Sequence, residues 1–526
     1  MHHQDSLVEY GSRRVIVTLT AIICALLEIV DSTIVNVALP NMSGNLGATY
    51  AEVGWVVTSY SIGNVIIVPM TSWLSQQFGR RNYFAASIMV FTICSFLCGN
   101  ATGIWELVAF RFLQGIGGGA LLVTSQTIIT ESYPPEKRGM AQAIYGLGVI
   151  VGPTLGPTVG GWITDQFEWP YIFYINIPLG IIAFLLTLEF VRSPKYGNKT
   201  HVSDVDWLGI MLLIVAVGSL QYVLEKGQEI DWFNADSIRI FSVLAFLGVV
   251  FFIYRELTYR NPVVELRVLA NGNLRIGTIL SFIMGFGLYG STFIIPLYTQ
   301  TLLGWTATQS GMLMIPATLT TAFTMPIIGQ LLQKGVPQNF LIALGMMLFF
   351  GYSFWAYKSI TPDTGSENFF WMLIFRGLGM GLLFIPITTL SLSTLKGKQI
   401  GQGAAFTGMM RQLGGSFGVA IMTVLLDRKN QVHRNDLVSA LRMDDPLVRE
   451  RVSTLQNGFI AHGSSPDQAL QQAYKVLDIN VMKQASVLSY MDAFLYLGIL
   501  FILCIPFVLM VKQKKAAPNP AAAGAH

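Results

Sequence analysis

Fourteen separate runs of about twenty apolar residues punctuate this chain, and no other feature limits its fold as much. A bilayer core of roughly 30 Å takes about that length of helix to cross, and a helix satisfies its own backbone polar groups in lipid. The runs read Val15 to Leu39, Trp55 to Leu74, Tyr83 to Ala101, Trp105 to Ile129, Ala141 to Ile163 and Ile172 to Val191, then Trp207 to Leu224 and Ile238 to Leu257. The last six are Leu274 to Leu297, Gly311 to Leu332, Phe340 to Tyr357, Phe369 to Leu392, Ala404 to Leu426 and Val487 to Val511. Composition agrees: with 52% hydrophobic and 12% charged residues, 526 residues hold too little charge to solvate soluble domains. The expected class is an all-α polytopic membrane protein whose first partner is the lipid bilayer.

Basic residues of short loops stay in the cytoplasm. Alternate connections carry Arg13, Arg14, Arg80, Arg81, Lys137, Arg138, Arg192, Lys195, Lys199, Arg255, Arg260, Arg267, Arg275, Lys334, Lys396 and Lys398, with Lys512, Lys514 and Lys515 in the tail. The opposite loops offer little beyond Lys226 and Lys358, so an even number of spans with both termini in the cytoplasm is predicted. The polar start MHHQDSLVEYGSRR leads into a first span too long for a signal-peptide core, and it is expected to be retained. Cys24, Cys94, Cys98 and Cys504 all fall within spans, where reduced thiols are expected and neither a disulfide nor a metal site is. The net charge of +4 belongs to the cytoplasmic loops and does not point to nucleic acid. Residues 427–486 form one long polar external segment, in which Asp445-Pro446 and Ser465-Pro466 mark helix starts. Two readings stay open for it, a helical cap on the pore or a docking site for a periplasmic partner.

The chain is duplicated. Arg138-Gly-Met-Ala-Gln-Ala-Ile-Tyr-Gly146 aligns with Ile400-Gly-Gln-Gly-Ala-Ala-Phe-Thr-Gly408, which places Gly139 over Gly401, Ala143 over Ala405 and Gly152 over Gly414. Likewise Arg111, with Gly115 and Gly117, matches Arg376 with Gly377, Gly379 and Gly381. Duplicated six-helix halves with a mid-membrane site between them are a common transporter plan. The offset of roughly 260 residues is too long for six spans and short loops, and two additional spans fit the excess. The expected layout is therefore 1–191 for the first half, 192–273 for an inserted pair and linker, 274–511 for the second half and 512–526 for a tail.

Ionisable groups inside a membrane are costly enough to be read as functional. Five lie well inside the spans: Glu28, Asp31, Arg111, Arg376 and Arg411. Asp31 lies eight residues before the outer end of its run and Arg111 six residues after the outer start of its own. At 1.5 Å per residue these are roughly 12 and 9 Å from the same face, within reach of one another. A carboxylate in a low-dielectric cavity holds its proton more tightly and a neighbouring arginine loosens it, so a movable pair can load and release protons. The alternative is a static salt bridge. Glu28, three residues from Asp31, shares its helix face and reads as a second proton site, a ligand for cationic substrates or a passive hydrogen-bonded group. Arg376 and Arg411 are expected to brace helices of the second half, contact with substrate being the other reading.

The fifth run holds Gly146, Gly148, Gly152, Pro153, Gly156, Pro157, Gly160 and Gly161. Small residues permit close helix approach and prolines bend the helix, which suits a gate between halves; generic close packing is the other reading. Tyr60, Phe282, Phe286, Tyr289, Phe293 and Met314 are candidates for an adaptable apolar pocket.

These residues resemble a known family. Leu27-Glu28-Ile29-Val30-Asp31-Ser32-Thr33-Ile34-Val35-Asn36-Val37-Ala38-Leu39-Pro40 resembles the first-helix signature of the fourteen-span drug:proton antiporters of the major facilitator superfamily. Arg111-Phe-Leu-Gln-Gly115 resembles that superfamily's span-4 motif, and the glycines and prolines from Gly148 to Gly161 resemble its antiporter motif. Tyr174-Ile-Asn-Ile-Pro-Leu-Gly180 and Arg411-Gln-Leu-Gly-Gly-Ser-Phe-Gly418 extend the similarity over nearly the whole chain. The resemblance implies the major facilitator fold, proton coupling through Asp31 and Arg111, a proton gradient in place of any cofactor, and a bacterial inner-membrane location. Its Emr-type branch implies a periplasmic membrane-fusion adaptor and an outer-membrane channel as partners.

One loop departs from the pattern. Ser72-Trp-Leu-Ser-Gln76-Gln-Phe-Gly79-Arg80-Arg81 keeps the glycine and the basic pair, but Gln76 stands where many members have an aspartate. Gly79, Arg80 and Arg81 are then expected to act structurally at the cytoplasmic gate. The resemblance implies export of hydrophobic or amphipathic drugs; export of an endogenous metabolite such as a siderophore is the alternative on the same fold. A membrane enzyme or ATP-driven pump is disfavoured, because the chain has no Gly-x-x-x-x-Gly-Lys-Ser/Thr loop and no His-Glu-x-x-His motif.

Overall fold

The computed structural model describes residues 7–134, 137–194, 204–442 and 444–510. Lys195, Lys199, Lys512, Lys514 and Lys515, the 512–526 tail and the first six residues lie outside the described residues. Among the described residues thirteen helices are long and apolar enough to cross a bilayer, and the bent helix Arg138–Gln166 makes a fourteenth. Among the described residues there is no strand.

Spans 1 to 6 are Gly11–Leu46, Tyr50–Phe78, Arg80–Gly99, Ile104–Ser132, Arg138–Gln166 and the pair Tyr171–Tyr174 with Asn176–Phe190. Spans 7 and 8 are Trp207–Lys226 and Asp236–Thr258. Spans 9 to 14 are Gly272–Thr301, Ala307–Leu313 with Ile315–Gln333, Gln338–Ser359, Ser366–Leu392, Lys398–Ala440 and Pro466–Met510.

The duplication is visible in the packing. Span 1 lies along span 5 as span 9 lies along span 13, and span 2 along span 4 as span 10 along span 12. The halves then meet on two seams, span 5 against span 10 and span 2 against span 13. Spans 7 and 8 form the inserted hairpin: span 7 covers the span 2–span 13 seam, and span 8 packs mainly on span 7 with much of its surface, including Phe246 and Tyr254, exposed.

Close helix approach within each half depends on absent side chains. A Cβ on Gly285 or Gly414 would run into the backbone of Arg411 or Phe282 across the span 9–span 13 contact. In the first half, a Cβ on Gly115 would meet the backbone of Tyr60. Gly79, between spans 2 and 3, adopts φ 83°, a left-handed backbone that favours glycine.

The described part of residues 427–486 is mostly helical. Span 13 runs 43 residues without interruption to Ala440, and span 14 begins at Pro466 and runs 45 residues. Between them Pro446–Ala461 forms a separate helix, capped as the sequence suggests by Asp445, whose side chain accepts from the Leu447 N–H. Arg434–Asp478 at 2.9 Å and Lys429–Asp492 at 3.1 Å tie the two long helices together. The four cysteines are free thiols.

Candidate functional site

Asp31 and Arg111 meet inside the first half. Arg111 Nη1 donates to Asp31 Oδ2 at 2.6 Å, and both side chains are fully buried. The other carboxylate oxygen accepts from Asn176 Nδ2 at 2.7 Å and from Gln114 Nε2 at 3.0 Å. Asp31 thus gathers donors from spans 4 and 6 onto span 1. The guanidinium also donates to Gln114 Oε1 at 2.8 Å and to the Val56 carbonyl at 3.3 Å, and lies 4.1 Å from the Tyr60 ring centre. Burial of a charge requires such pairing.

Glu28 lies one turn below on the same helix. Its Oε1 accepts from Asn64 Nδ2 at 2.9 Å, and the Asn64 carbonyl oxygen accepts from Gln412 Nε2 at 2.7 Å. Since Gln412 belongs to span 13, this bond crosses from one half to the other. Arg411, beside Gln412, is buried with its guanidinium 5.4 Å from the Phe384 ring centre, and it exerts a charge interaction on Glu28. Both terminal nitrogens of Arg411 are buried without a hydrogen-bond acceptor. Arg376 instead braces the second half: Nε donates to Ser291 Oγ at 2.9 Å and Nη2 to Thr292 Oγ1 at 2.5 Å, both on span 9.

Span 5 presents its glycines to two neighbours. Cβ atoms on Gly152, Gly156 and Gly160 would collide with Ile29, Thr33 and Ile34 of span 1, whereas Gly148 has ordinary room beside Ile22. Gly146 abuts Phe384 and Met325, and Gly161 abuts Thr308, all in the second half. The helix bends beside Pro153, and Pro157 follows within it. This one helix therefore touches both the acidic span and the opposite half, the position a gate needs.

At the end of the bundle where spans 2 and 3 join, Arg80 and Glu131 form a buried salt bridge of 2.5 Å between spans 3 and 4. Arg81 is exposed, and its backbone N–H donates to Ser193 Oγ at 3.0 Å. Gln76, in the place of the family's aspartate, donates to Ser72 Oγ at 3.3 Å.

Of the six aromatic and methionine candidates, Tyr60 and Tyr289 stand at the buried charges. Tyr60 lies on Arg111, and its hydroxyl donates to the Glu28 carbonyl at 3.4 Å. Tyr289 lies within electrostatic reach of Glu28 and Arg411. Phe282 packs on Phe417 at 5.6 Å, Phe286 lies over Gly418, and Phe293 and Met314 belong to the large apolar core centred on the second half. Asn64, Gln114, Asn176 and Gln412 complete the network and carry no formal charge, so a search for ionisable residues passes over them. Their signal was a neutral amide in the middle of an apolar run.

Fourteen helices in duplicated halves, with a buried charge network and an inserted pair over one seam, make up a polytopic membrane protein of transporter architecture. The chain belongs to the major facilitator superfamily, whose family model matches residues 21–419, and within it to the Emr-type fourteen-span drug:proton antiporter family. It is 33% identical to the fatty acid resistance protein FarB of Neisseria gonorrhoeae over 94% of this chain and 96% of that one. It is 30% identical to the multidrug export protein EmrB of Escherichia coli K12, covering 93% and 94% of the two chains. Among solved structures, the human organic anion transporter MFSD10 shares the fold with a TM-score of 0.57 at 13% identity, over 95% of this chain and all of that one.

Proposed function

We propose that this protein exports amphipathic, largely apolar compounds across the bacterial inner membrane in exchange for protons. The observation that carries the reading is the fully buried Asp31–Arg111 pair, set one helical turn from a carboxylate that is linked through Asn64 to Gln412 across the seam. A proton arriving on Asp31 removes the counter-charge of Arg111, which must then find other acceptors. That re-pairing draws on spans 2, 4 and 6, because Val56, Gln114 and Asn176 share the same network. Glu28, facing Arg411 and Tyr289, is placed to feel the same change and to meet a cationic or amphipathic cargo. The relatives' names, multidrug export and fatty acid resistance, support a cargo with a large apolar part.

Proteoliposomes with an imposed pH gradient test this reading. Gradient-driven dye transport is expected, with loss on Asp31→Asn; transport indifferent to the gradient in the unsubstituted protein would refute it.

Both termini are assigned to the cytoplasm, so the helices of residues 427–486 stand in the periplasm. They expose Val432, Val438, Leu447 and Ile479 to solvent, apolar positions suited to an adaptor that continues the route to an outer-membrane channel. Co-purification with a candidate membrane-fusion adaptor should be lost when residues 446–461 are replaced by a short polar linker, with dye transport in proteoliposomes retained.

A further inference from the structure

The inserted hairpin has no counterpart in either half, yet the face of span 7 against the bundle is not apolar throughout. Gln221 is buried where span 7 covers the span 2–span 13 seam. Its Nε2 donates to Ser416 Oγ of span 13 at 2.9 Å and to Glu225 Oε1 on its own helix at 2.9 Å. Ser61 of span 2 lies close enough to the Glu225 carboxylate to interact with it. One turn along span 13, Ser416 Oγ donates to the Gln412 carbonyl at 3.4 Å, and Gln412 bonds through Asn64 to Glu28. A polar line therefore runs from Glu28 in the first half, through the second half, to a carboxylate on the insertion.

Glu225 stands at the external end of that line. The next residue, Lys226, ends the helix; its Nζ pairs with Glu229 at 2.6 Å, reaches the Ala51 carbonyl at 3.4 Å and lies 5.3 Å from the Trp55 ring centre. The groups facing Glu225 are Lys226 and Gln221 from its own helix, Ser61 from span 2 and Ser416 of span 13 through Gln221, with Glu229 in the loop beyond. Glu28, Asp31, Arg111 and Arg411 gather at the inner end of the line.

We propose that Glu225 is a second proton-binding group of the transport cycle, a positioning residue whose ionised carboxylate latches the inserted hairpin across the span 2–span 13 seam. The chemistry is a simple transfer. Ionised, the carboxylate only accepts, and it fixes one amide hydrogen of Gln221 while the other reaches Ser416. A hydronium ion from the external side gives its proton to a carboxylate oxygen and leaves as water. The carboxyl group becomes a donor, its hold on Gln221 falls to that of a neutral acceptor, and the hairpin releases the seam. Return of the proton to water restores the latch. The difference between a charge-assisted and a neutral bond corresponds to roughly a tenfold change in the latched-to-released ratio.

This inference rests on the proton-coupled reading above, and the test separates the two. Pulsed spin-label distances between span 2 and span 13 are measured in nanodiscs at mildly acidic and mildly alkaline pH, together with dye transport at varied external pH. The unsubstituted protein should shift its distance populations by about tenfold toward the parted seam on acidification. E225Q should hold the parted population at both pH values and flatten the external-pH profile. E225D should restore a pH response. Q221L, which keeps the carboxylate and removes the link, should behave as E225Q. If E225Q and the unsubstituted protein give superimposable profiles while Asp31→Asn abolishes gradient-driven transport, the latch is wrong and proton coupling stands. If transport ignores the gradient altogether, the coupling reading falls, and the distances alone judge the latch. Should the variants fail to fold, a seam in the unsubstituted protein that does not respond to pH overturns the proposal.

Discussion

Replacing Asp31 by asparagine keeps the shape of the side chain and removes its charge, which isolates the worth of the buried pair. Asp31 accepts three side-chain donors, at 2.6, 2.7 and 3.0 Å, and an asparagine amide turns one of those acceptor positions into a donor facing another donor. Three bonds to a charged group at about 1.5–3 kcal/mol each would sum to roughly 5–9 kcal/mol. Part of that returns, because Arg111 keeps Gln114 Oε1, the Val56 carbonyl and the Tyr60 face. The expected loss is the ~3–5 kcal/mol typical of breaking a buried ion pair from one side. Arg111→Gln should cost a similar amount. The double variant should recover about 2 kcal/mol or more relative to the sum, since neither charge is then stranded. Chemical unfolding in detergent measures the three variants, and proteoliposome dye transport is read alongside. Transport should stay at background in all three, including the partly restabilised double variant. Additive stabilities would refute the pairing energy, and transport recovered in the double variant would reduce the pair to a static brace.

Gly156→Ala should destabilise the protein by about 1–3 kcal/mol and depress transport, because its Cβ would meet Thr33 and the backbone of Ile34, whereas Gly148→Ala should be near neutral in the same thermal-unfolding assay. Arg80→Ala removes the buried salt bridge to Glu131 and should destabilise the protein by about 1–3 kcal/mol, while Arg81→Ala at an exposed position should stay within about 0.5 kcal/mol of the unsubstituted protein. Arg376→Lys should lower the unfolding temperature through lost bonds to Ser291 and Thr292, with the external-pH profile of the remaining transport unchanged.

Depth along a helix was enough to bring Asp31 and Arg111 together from sequence, because both distances were measured from the same membrane face. The duplicated plan was legible for a similar reason: glycines at matching offsets are fixed by close contacts that both halves repeat. Other partners were hidden by where an apolar run stops. Glu131 lies two residues past the end of its run and Glu225 one residue past its own, so each reads as a loop charge although its side chain turns back into the bundle. Asn176 is hidden differently: a neutral amide carries no charge to mark it as a partner of Asp31. Phe282 and Phe286 show the limit of residue type as a guide: an aromatic in a span next to a glycine face packs there, and only the three-dimensional register tells it from Tyr60 or Tyr289 on the charges.

The uninterrupted helix of span 13 has a mechanical consequence. It carries Gln412 at the seam and Ala440 at its far end on one rod with no glycine or proline hinge beyond Gly418. The distance between those two points is roughly 42 Å at 1.5 Å per residue, so a tilt of the second half by about 10° would sweep the tip through roughly 7 Å. Bound to span 14 by two ion pairs, the rod would move as a stiff lever, and whatever rests on its tip would sense each turnover as a displacement, with no chemical signal needed.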